Sequence, residues 1–286
     1  MKDAGCQRER AKILSVMQSA IGRTRSLTDY VDPARAVALH GALGCDGRPP
    51  GEGDELPPFW HHIYFWEPVR PEETGKDGHP KTGAFIPELG LPKRMWAGGQ
   101  VKFGRSVKIG EPACKSTVIS GIERKAGRSG PLAFVHLKHL YSQHGDLAIE
   151  ETQTLVYRSA EPESPRRKIP PAPYGETVAI SRSFNSSMLF RFSALTFNGH
   201  RIHYDADYCR AFEGYPSQVV HGPLLALLLA NLARSSMGSL NSFTYRAIAP
   251  LFANEEAEFC FRGSDGVSDS WVRGPNGRLC MSALAE

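Results

Sequence analysis

The stretch that decides the fold is Gly222-Pro-Leu-Leu-Ala-Leu-Leu-Leu-Ala-Asn-Leu-Ala-Arg234. A proline in the first turn, followed by leucines and alanines, is typical of an α-helix. The stretch is apolar nearly all the way round a helical projection, so such a helix has no face suited to water. We therefore predict a central, buried helix here.

Short strand patterns surround this helix. Upstream, Thr177–Phe184 alternates as a strand and Asn185–Ser193 indicates a short helix. Turn signals such as Ser264-Asp-Gly266 separate the downstream strand candidates, which are Ser242–Ile248, Ala257–Arg262, Ser268–Val272 and Leu279–Ala283. A long buried helix followed by an antiparallel meander predicts a curved sheet wrapped around a helix.

The first half of the chain ends with a similar set of strand candidates, namely Gly99–Val107, Ala113–Arg124, Leu132–Ser142 and Leu147–Tyr157. The segment before them, Asp54–Trp96, has only a weak helix signal. We therefore predict an α+β fold of two related units, with two antiparallel sheets, each wrapped around a helix, and with a degenerate helix in the first unit. The aromatic run Phe59–Trp66 is expected to form part of the core and the wall of the acyl tunnel. We expect the first unit, which includes His61, His62 and His79, to act as a scaffold.

A proline-rich stretch separates the two halves. Residues 159–173 hold five prolines and several charges, a composition that suits an extended connector. The predicted organisation is an N-terminal non-catalytic domain at 1–158, a linker at 159–173 and a C-terminal catalytic domain at 174–286. Both domains have an ordinary size.

Composition excludes several protein classes. The chain has 286 residues, 41% of them hydrophobic and 22% charged, which is close to the globular average and excludes disorder and coiled coil. A net charge of +4 is too small to indicate a nucleic-acid binder. The six cysteines form no CxxC pair, and the N-terminus has no apolar signal core. Apolar stretches are far shorter than a membrane span, so we expect a cytoplasmic protein that binds neither nucleic acid nor membrane.

Two histidines, His200 and His203, lie in a polar loop, and His221 directly precedes the buried helix. Histidine is the side chain best suited to proton transfer near neutral pH. The free N–H groups at Gly222 and the positive end of the helix could stabilise a developing negative charge. A metal site formed by these histidines with Asp205 is disfavoured, because no third ligand lies at a sequence spacing that is typical of metal sites. No metal and no cofactor are expected.

Several motifs together resemble a known family. In the second half these are Phe192-Ser-Ala-Leu-Thr-Phe-Asn-Gly-His-Arg-Ile-His-Tyr-Asp205, Glu213-Gly-Tyr-Pro216 and Val219-Val-His-Gly-Pro-Leu224. They resemble the hydratase-2 motif of MaoC-like enoyl-CoA hydratases, which have the hot-dog fold. Asp77-Gly-His-Pro80 and Arg94-Met-Trp-Ala-Gly98 are similar to the first half of double hot-dog members. The groups that the chain resembles within this family are the itaconyl-CoA and mesaconyl-C4-CoA hydratases and the related 3-hydroxyacyl-thioester dehydratases.

The resemblance implies roles for individual residues. The family motif has an aspartate and, five residues later, a histidine that together handle the protons of water addition. The histidine matches His203, but the aspartate position holds Asn198, and the usual Asn-Pro pair is replaced by His200-Arg201. An amide does not exchange protons at neutral pH. We expect His203 to act as the base, Asn198 to orient the water and Gly222 to stabilise the thioester oxygen, with His200 as the alternative proton carrier.

A dicarboxylyl substrate also needs a cationic partner, for which arginine is well shaped. The candidates are Arg191, Arg201 and Arg246, with His200 and His221 as further substrate-binding residues. Two basic groups could hold the CoA phosphates: Arg94, Lys102, Arg105 and Lys108, and Arg124, Lys125 and Arg128.

Three hypotheses about the function remain open from the sequence alone. The first is a hydratase of dicarboxylyl-CoA, and the second is an (R)-3-hydroxyacyl-thioester dehydratase of fatty acid synthesis. The third is a non-catalytic acyl-thioester-binding module in which Asn198 marks lost activity. A thioesterase is disfavoured, since Asp205 is the only carboxylate of the motif loop. We expect an acyl-CoA partner and either a monomer or a homodimer.

Overall fold

The structure is a computed structural model that describes residues 13–127, 130–159, 168–264 and 266–286. Its strands are β1 (Thr24–Tyr30), β2 (Lys93–Phe103), β3 (Pro112–Gly127), β4 (Gly130–Gln143), β5 (Asp146–Arg158), β6 (Val178–Ser183), β7 (Ser242–Ala247), β8 (Glu256–Ser264), β9 (Val267–Arg273) and β10 (Leu279–Ala285). Its helices are α1 (13–20), α2 (Pro33–Leu43), α3 (Ser186–Leu195), α4 (Ala206–Tyr208) and α5 (Gly222–Met237). Short 3-10 turns include Trp60–Ile63 and Arg201–His203.

The strands form one antiparallel sheet in the order β1-β3-β4-β5-β2-β7-β10-β9-β8-β6. Both halves have the same internal order, because β6 to β10 repeat the arrangement of β1 to β5. The halves meet where β2 pairs with β7, with Gly98 opposite Arg246 and Lys102 opposite Ser242. The two predicted sheets are thus joined edge to edge into one continuous sheet. Pairing β2 with β7 satisfies the backbone hydrogen bonds of two strands that would otherwise be exposed edges.

The predicted central helix is α5, and its position explains its composition. His221 precedes it, a proline follows within the first turn, and Gly238 ends it in the left-handed conformation with φ +82°. All its leucines are buried, and Leu224 and Leu229 are fully inaccessible to solvent. The helix packs on β7 to β10 and forms one apolar core together with Phe59, Ile63 and Phe243. Among the described helices none is long and apolar enough to cross a membrane.

The first half keeps the order of elements but not the helix. Where the second half has α5 between α3 and β7, the first half has the 3-10 turn Trp60–Ile63 between α2 and β2. Phe59 and Trp60 are buried in the shared core, as predicted for the aromatic run. The predicted degenerate helix is therefore confirmed, and this half relies on aromatic side chains instead of a long helix.

Most predicted strands lie within a few residues of the observed ones, but three described elements of seven or more residues were missed. The sequence interpretation passed over α1, β1 and α2, and it began β2 at Gly99 whereas the strand begins at Lys93. Gly98 and Gly99 interrupt the strand pattern, and the register shifts between Trp96 and Gly98. A Cβ at Gly99 would lie 2.1 Å from the Thr152 carbonyl oxygen, so glycine permits the close strand approach.

Because β6 to β10 repeat the arrangement of β1 to β5, the first half ends after β5 and the second half begins before β6. Residues 160–167, which form much of the predicted linker, lie outside the described residues, and the domain boundaries stay a prediction. The last part of the linker contacts the second half: the Ala172 N–H donates to the Gly277 carbonyl over 2.7 Å.

Candidate active site

The start of α5 organises the candidate site. His221 precedes the helix and is completely buried. A 2.8 Å hydrogen bond joins its Nε2 atom to the Ser193 hydroxyl of α3. In the first helical turn the Gly222 N–H has no acceptor among the described residues, Pro223 has no N–H, and the Leu224 and Leu225 N–H groups both donate to the His221 carbonyl over 3.1 Å. The Gly222 N–H lies at the positive end of the helix and can therefore stabilise an oxyanion. The sequence pattern of buried leucines thus fixes where the positive helix end points.

His203 is stacked on His221. Their ring centroids are 3.7 Å apart and their planes differ by 16°. The His203 Nδ1–H donates to the Val219 carbonyl over 2.8 Å. Because a carbonyl only accepts, this bond assigns the proton of the neutral ring to Nδ1 and leaves the Nε2 lone pair free to act as a base.

Burial keeps these imidazoles neutral. It lowers the pKa of His203 to about 4, with a raising contribution from the Val219 hydrogen bond and a lowering one from His79. The pKa of His221 is also held well below its ordinary value, first by burial and then by the neighbouring His203 and His200. Both rings are therefore uncharged at neutral pH, and His203 is in the form that accepts a proton.

Asn198 shapes the loop that carries the histidines. Its side-chain oxygen accepts the His200 N–H over 3.0 Å, and its own N–H donates to the Ser193 carbonyl over 2.8 Å. The amide –NH₂ group is left as a donor. His200 is 8% exposed, and its ring centroid lies 5.5 Å from that of His203. Burial lowers the pKa of His200 far below its ordinary value, and the charges of His79, His203 and Arg94 lower it further.

A loop of the first half reaches this site. The ring of His79 lies 4.0 Å from that of His200, centroid to centroid. The Asp77 carboxylate accepts a hydrogen bond from His79 Nδ1 over 3.2 Å. The sequence interpretation assigned His79 to a half that acts as a scaffold, and this role stays a prediction. Tertiary folding brings residues 77–79 of that half against the C-terminal motif loop.

Strand β2 contributes two further side chains. Trp96 packs on the start of α5, since a Cβ at Gly222 would lie 2.6 Å from its Cε3 atom. The same indole is stacked on Tyr245 of β7 with centroids 4.5 Å apart. Arg94, two residues before Trp96, lies close enough for its charge to lower the pKa of His79. Within the described part of the chain, Arg94 forms no ion pair.

The three predicted substrate-binding arginines lie elsewhere. Arg201 donates to Asp205 from Nε over 3.1 Å and from Nη2 over 2.6 Å. Arg191 on α3 and Arg246 on β7 are exposed. Their role as carboxylate partners stays a prediction. Arg201 directly follows His200, but its guanidinium is paired with Asp205, whereas Arg94 forms no ion pair among the described residues and its charge acts on both His79 and His200.

Comparison with known proteins assigns this chain to a family. The model for hydroxyacyl-thioester dehydratase type 2 matches residues 59–253. A protein of Chloroflexus aurantiacus named mesaconyl-C(4)-CoA hydratase is 41% identical over 270 residues, covering 93% of this chain and 96% of the relative. The chain belongs to the hydroxyacyl-thioester dehydratase type 2 family.

More distant relatives agree with this membership. The mitochondrial hydroxyacyl-thioester dehydratase type 2 of Schizosaccharomyces pombe is 26% identical over 238 residues, covering 72% of this chain and 77% of the relative. A solved structure from Mycobacterium tuberculosis, described as a double hotdog fold, is 14% identical with a TM-score of 0.56, covering 93% and 95% of the two chains. The expectations of a MaoC-like hydratase, of an enzyme and of a double hot-dog fold are confirmed.

The first half of this family member contains a second polar cluster. Glu151 is fully inaccessible to solvent and accepts hydrogen bonds from four side chains at 2.8 to 3.2 Å: His61, His62, Tyr141 and Gln153. Burial alone would raise the pKa of Glu151, but the charges and hydrogen bonds of these histidines outweigh it and hold the pKa well below its ordinary value. The cluster was missed because a glutamate in an alternating strand is normally expected to face water.

Among the described residues, two groups have ligand atoms close enough together to hold a metal ion. They are His61 with His62 and Glu151, and Asp77 with His79 and His200, with ligand atoms within 4.8 Å of one another in each group. In the first group, hydrogen bonds among the members satisfy the ligand atoms. In the second, the nearby Arg94 charge opposes a cation. The absence of a metal stays an expectation.

The predicted CoA-phosphate residues are scattered over β2, β3 and the following loops. Arg105 pairs with Asp146, and Lys125 pairs with Glu123 over 2.8 Å. Arg128 lies outside the described residues. Their contact with phosphate stays a prediction.

Proposed function

We propose that this enzyme adds water across the double bond of a short branched dicarboxylyl-CoA, mesaconyl-C4-CoA or itaconyl-CoA, to give citramalyl-CoA. The observation that carries the proposal is the buried His203 imidazole, with Nε2 free, stacked beside the start of α5. This arrangement joins a base to an oxyanion-stabilising helix end. The 41% identity to a mesaconyl-C(4)-CoA hydratase supports the choice of substrate.

In the proposed reaction, His203 Nε2 removes a proton from water while the water oxygen bonds to the β-carbon. The electrons of the double bond move towards the thioester oxygen, where the Gly222 N–H and the positive end of α5 stabilise the charge. Removing one donor of such a site typically costs about 10²–10³ in rate. The amide –NH₂ of Asn198 can orient the water, and a proton then reaches the α-carbon.

Arg94 is the cation that best suits the free carboxylate of the substrate. It lies on the same strand as Trp96, which covers Gly222, and its charge acts on both His79 and His200. Two residues along a strand span about 6.6 Å, which is the scale of a short diacid. We therefore propose Arg94 as a substrate-binding residue beside those predicted from the sequence.

Loss of the conjugated-thioester absorbance would test the reaction with mesaconyl-C4-CoA, itaconyl-CoA and crotonyl-CoA. We expect turnover of one of the dicarboxylyl thioesters with the highest kcat/KM, and loss of that turnover in His203→Gln. A variant His203→Gln with normal kcat on every thioester would refute the role of His203. Absence of turnover with all three thioesters would refute the hydratase function.

Arg94→Gln tests the recognition of the carboxylate. A hydrogen bond to a charged group is worth about 1.5–3 kcal/mol, or roughly 10- to 150-fold in kcat/KM. We expect this loss with the dicarboxylyl thioester and little change with crotonyl-CoA. Arg246→Gln and Arg191→Gln are the matched controls, because both arginines are exposed. A larger loss in either control than in Arg94→Gln would transfer the role to that residue.

A (R)-3-hydroxyacyl-thioester dehydratase is the second candidate function. The family match and the Schizosaccharomyces pombe relative favour it. It predicts turnover of longer 3-hydroxyacyl thioesters in the reverse direction, with no effect of Arg94→Gln. Measuring dehydration of 3-hydroxybutyryl- and 3-hydroxydecanoyl-CoA separates the two functions.

Tight binding of an acyl-CoA by calorimetry without any turnover would instead favour the non-catalytic module. The acyl-CoA partner is part of the proposed function. The homodimer and the cytoplasmic location stay predictions, which gel filtration with light scattering and cell fractionation would test.

A further inference from the structure

A loop of the first half is built into the C-terminal site. The Arg201 N–H donates to the Asp77 carbonyl over 2.8 Å. Gly78 has φ +88°, and a Cβ there would lie only 1.8 Å from the Gly199 carbonyl oxygen. No other residue fits this contact, because a side chain would separate the two loops. The backbone thus holds residues 77–79 in a fixed position against the motif loop.

His79 is the one imidazole of this site with a carboxylate partner among the described residues. Asp77 Oδ2 accepts from His79 Nδ1 over 3.2 Å, while Oδ1 accepts the His79 backbone N–H over 3.1 Å. His203 is bonded to a carbonyl and His221 to a hydroxyl. A carboxylate behind an imidazole fixes its tautomer and stabilises the protonated ring.

The motif loop has no carboxylate at position 198, where the MaoC-like hydratase motif that it resembles has an aspartate. The sequence places an amide there, and the structure uses its oxygen to accept the His200 N–H. Water addition needs both a base and an acid, because one proton leaves the water and one arrives at the α-carbon. His203 without a carboxylate suits the base, which leaves the acid to be found.

We propose that Asp77 and His79 form the second acid–base pair of this active site, in place of the missing carboxylate at position 198. The inference rests on the proposed hydratase function. His203 takes a proton from water as the C–O bond forms at the β-carbon, and the double-bond electrons move towards the thioester. The protonated His79 then gives its Nε2 proton to the α-carbon. The cycle closes when a proton passes from His203 to His79 through the intervening ring of His200 or through solvent.

The division of roles rests on the partners of the two rings, because a carboxylate lies behind His79 and a carbonyl lies behind His203. Burial, followed by the Arg94 charge, lowers the pKa of His79 below its ordinary value, and the hydrogen bond and charge of Asp77 offset part of this shift. His203 has no carboxylate, and burial lowers its pKa to about 4. The Arg94 charge also opposes a divalent cation bound to Asp77, His79 and His200.

The test uses His79→Gln and Asp77→Asn in the full chain, with the enoyl-CoA that the wild type hydrates. Losing a general acid costs about 10²–10⁴ in rate, so we expect kcat of His79→Gln to fall by that factor with little change in KM. Asn keeps the acceptor for the His79 backbone N–H, so Asp77→Asn should fold normally. In Asp77→Asn the basic limb of the pH profile of kcat/KM should move to lower pH, because the protonated His79 loses the carboxylate that stabilises it.

Three further measurements sharpen the result. Asn198→Asp restores a carboxylate to the motif loop, and we expect it to recover at least tenfold of the activity lost in Asp77→Asn, because a positioned acid–base group supplies about 10²–10⁴ in rate. His144→Gln is the matched control, since His144 pairs with Glu111 at an exposed turn far from the motif. NMR titration of the imidazoles without substrate should show a lower pKa for His79 in Asp77→Asn and a smaller change in the pKa of His203.

Several outcomes would overturn the inference. One is kcat within threefold of the wild type in both His79→Gln and Asp77→Asn. Another is a His79 titration that Asp77→Asn leaves unchanged. Activity that a chelator abolishes and zinc restores would make Asp77, His79 and His200 a metal site instead. If the wild type hydrates none of the thioesters, the proposed function fails, and the NMR titration still decides whether Asp77 and His79 form an acid–base pair.

Discussion

Gly222→Ala tests whether the start of α5 and Trp96 are packed as closely as the structure has them. A Cβ at position 222 would lie 2.6 Å from Trp96 Cε3 and 3.0 Å from Cζ3. Carbon atoms in contact are about 3.5–4.0 Å apart. Either the first turn of the helix or the indole therefore has to move by about 1 Å to restore ordinary contact.

The displacement should affect stability and activity differently. Inserting a carbon into a packed core typically costs about 1–3 kcal/mol of unfolding free energy. A misplacement of about 1 Å in a catalytic group can cost about 10²-fold in rate. We therefore expect kcat/KM to fall about 100-fold, equivalent to about 2.7 kcal/mol of transition-state stabilisation.

The assay pairs hydration kinetics with urea unfolding, and Gly41→Ala is the control. Gly41 lies in α2, and a Cβ there meets no atom within 4 Å. Alanine is favoured over glycine inside a helix by about 0.5–1 kcal/mol. Gly41→Ala should therefore be slightly more stable than the wild type and equally active.

A double variant shows whether the indole is the cause. Trp96→Phe removes the second ring, so Gly222→Ala combined with Trp96→Phe should lose less activity than Gly222→Ala alone. Residues in contact usually couple by about 0.5–3 kcal/mol in such a cycle. Gly222→Ala with kcat/KM within threefold of the wild type and the stability of Gly41→Ala would refute the packing and the role of the helix start.

Four other predictions follow from the buried polar groups. Because the pKa of His203 is about 4 and the neutral ring is the base, kcat/KM should hold down to about pH 5 and fall as the pH drops through 4. The same lowered pKa means that the unfolded chain binds the proton more readily, so the unfolding free energy should decrease as the pH falls from about 6.5 towards 4. Glu151→Gln should cost about 3 kcal/mol in urea unfolding because it breaks a buried, fully hydrogen-bonded charge cluster; a cost below 1 kcal/mol would contradict the cluster. Ser193→Ala removes the partner of His221 Nε2 and should cost about 1–3 kcal/mol, whereas Ser187→Ala, exposed on the same helix, should change stability by less than about 0.5 kcal/mol.

The sequence by itself determined the local elements and half of the site. The apolar run from Gly222 had to be a buried helix, because no arrangement of its leucines gives a polar face. The motif resemblance placed His203 and Asn198 with the helix start in one candidate site, and the structure stacks His203 on His221. The strands of the second half followed from their alternation and turns.

Only the tertiary structure decided the rest of the site. Asp77, His79, Arg94 and Trp96 are more than 100 residues away from His203 along the chain, and nothing in their local sequence indicates which surface they meet. Their meeting depends on the pairing of β2 with β7 and on the contact between Gly78 and Gly199. The joining of two expected sheets into one, and the burial of Glu151 among histidines, depend in the same way on contacts between distant strands. The edge of a strand can pair with many other strands, and a carboxylate can pair with many donors. The local sequence therefore does not determine the partner, which depends on how distant segments pack together.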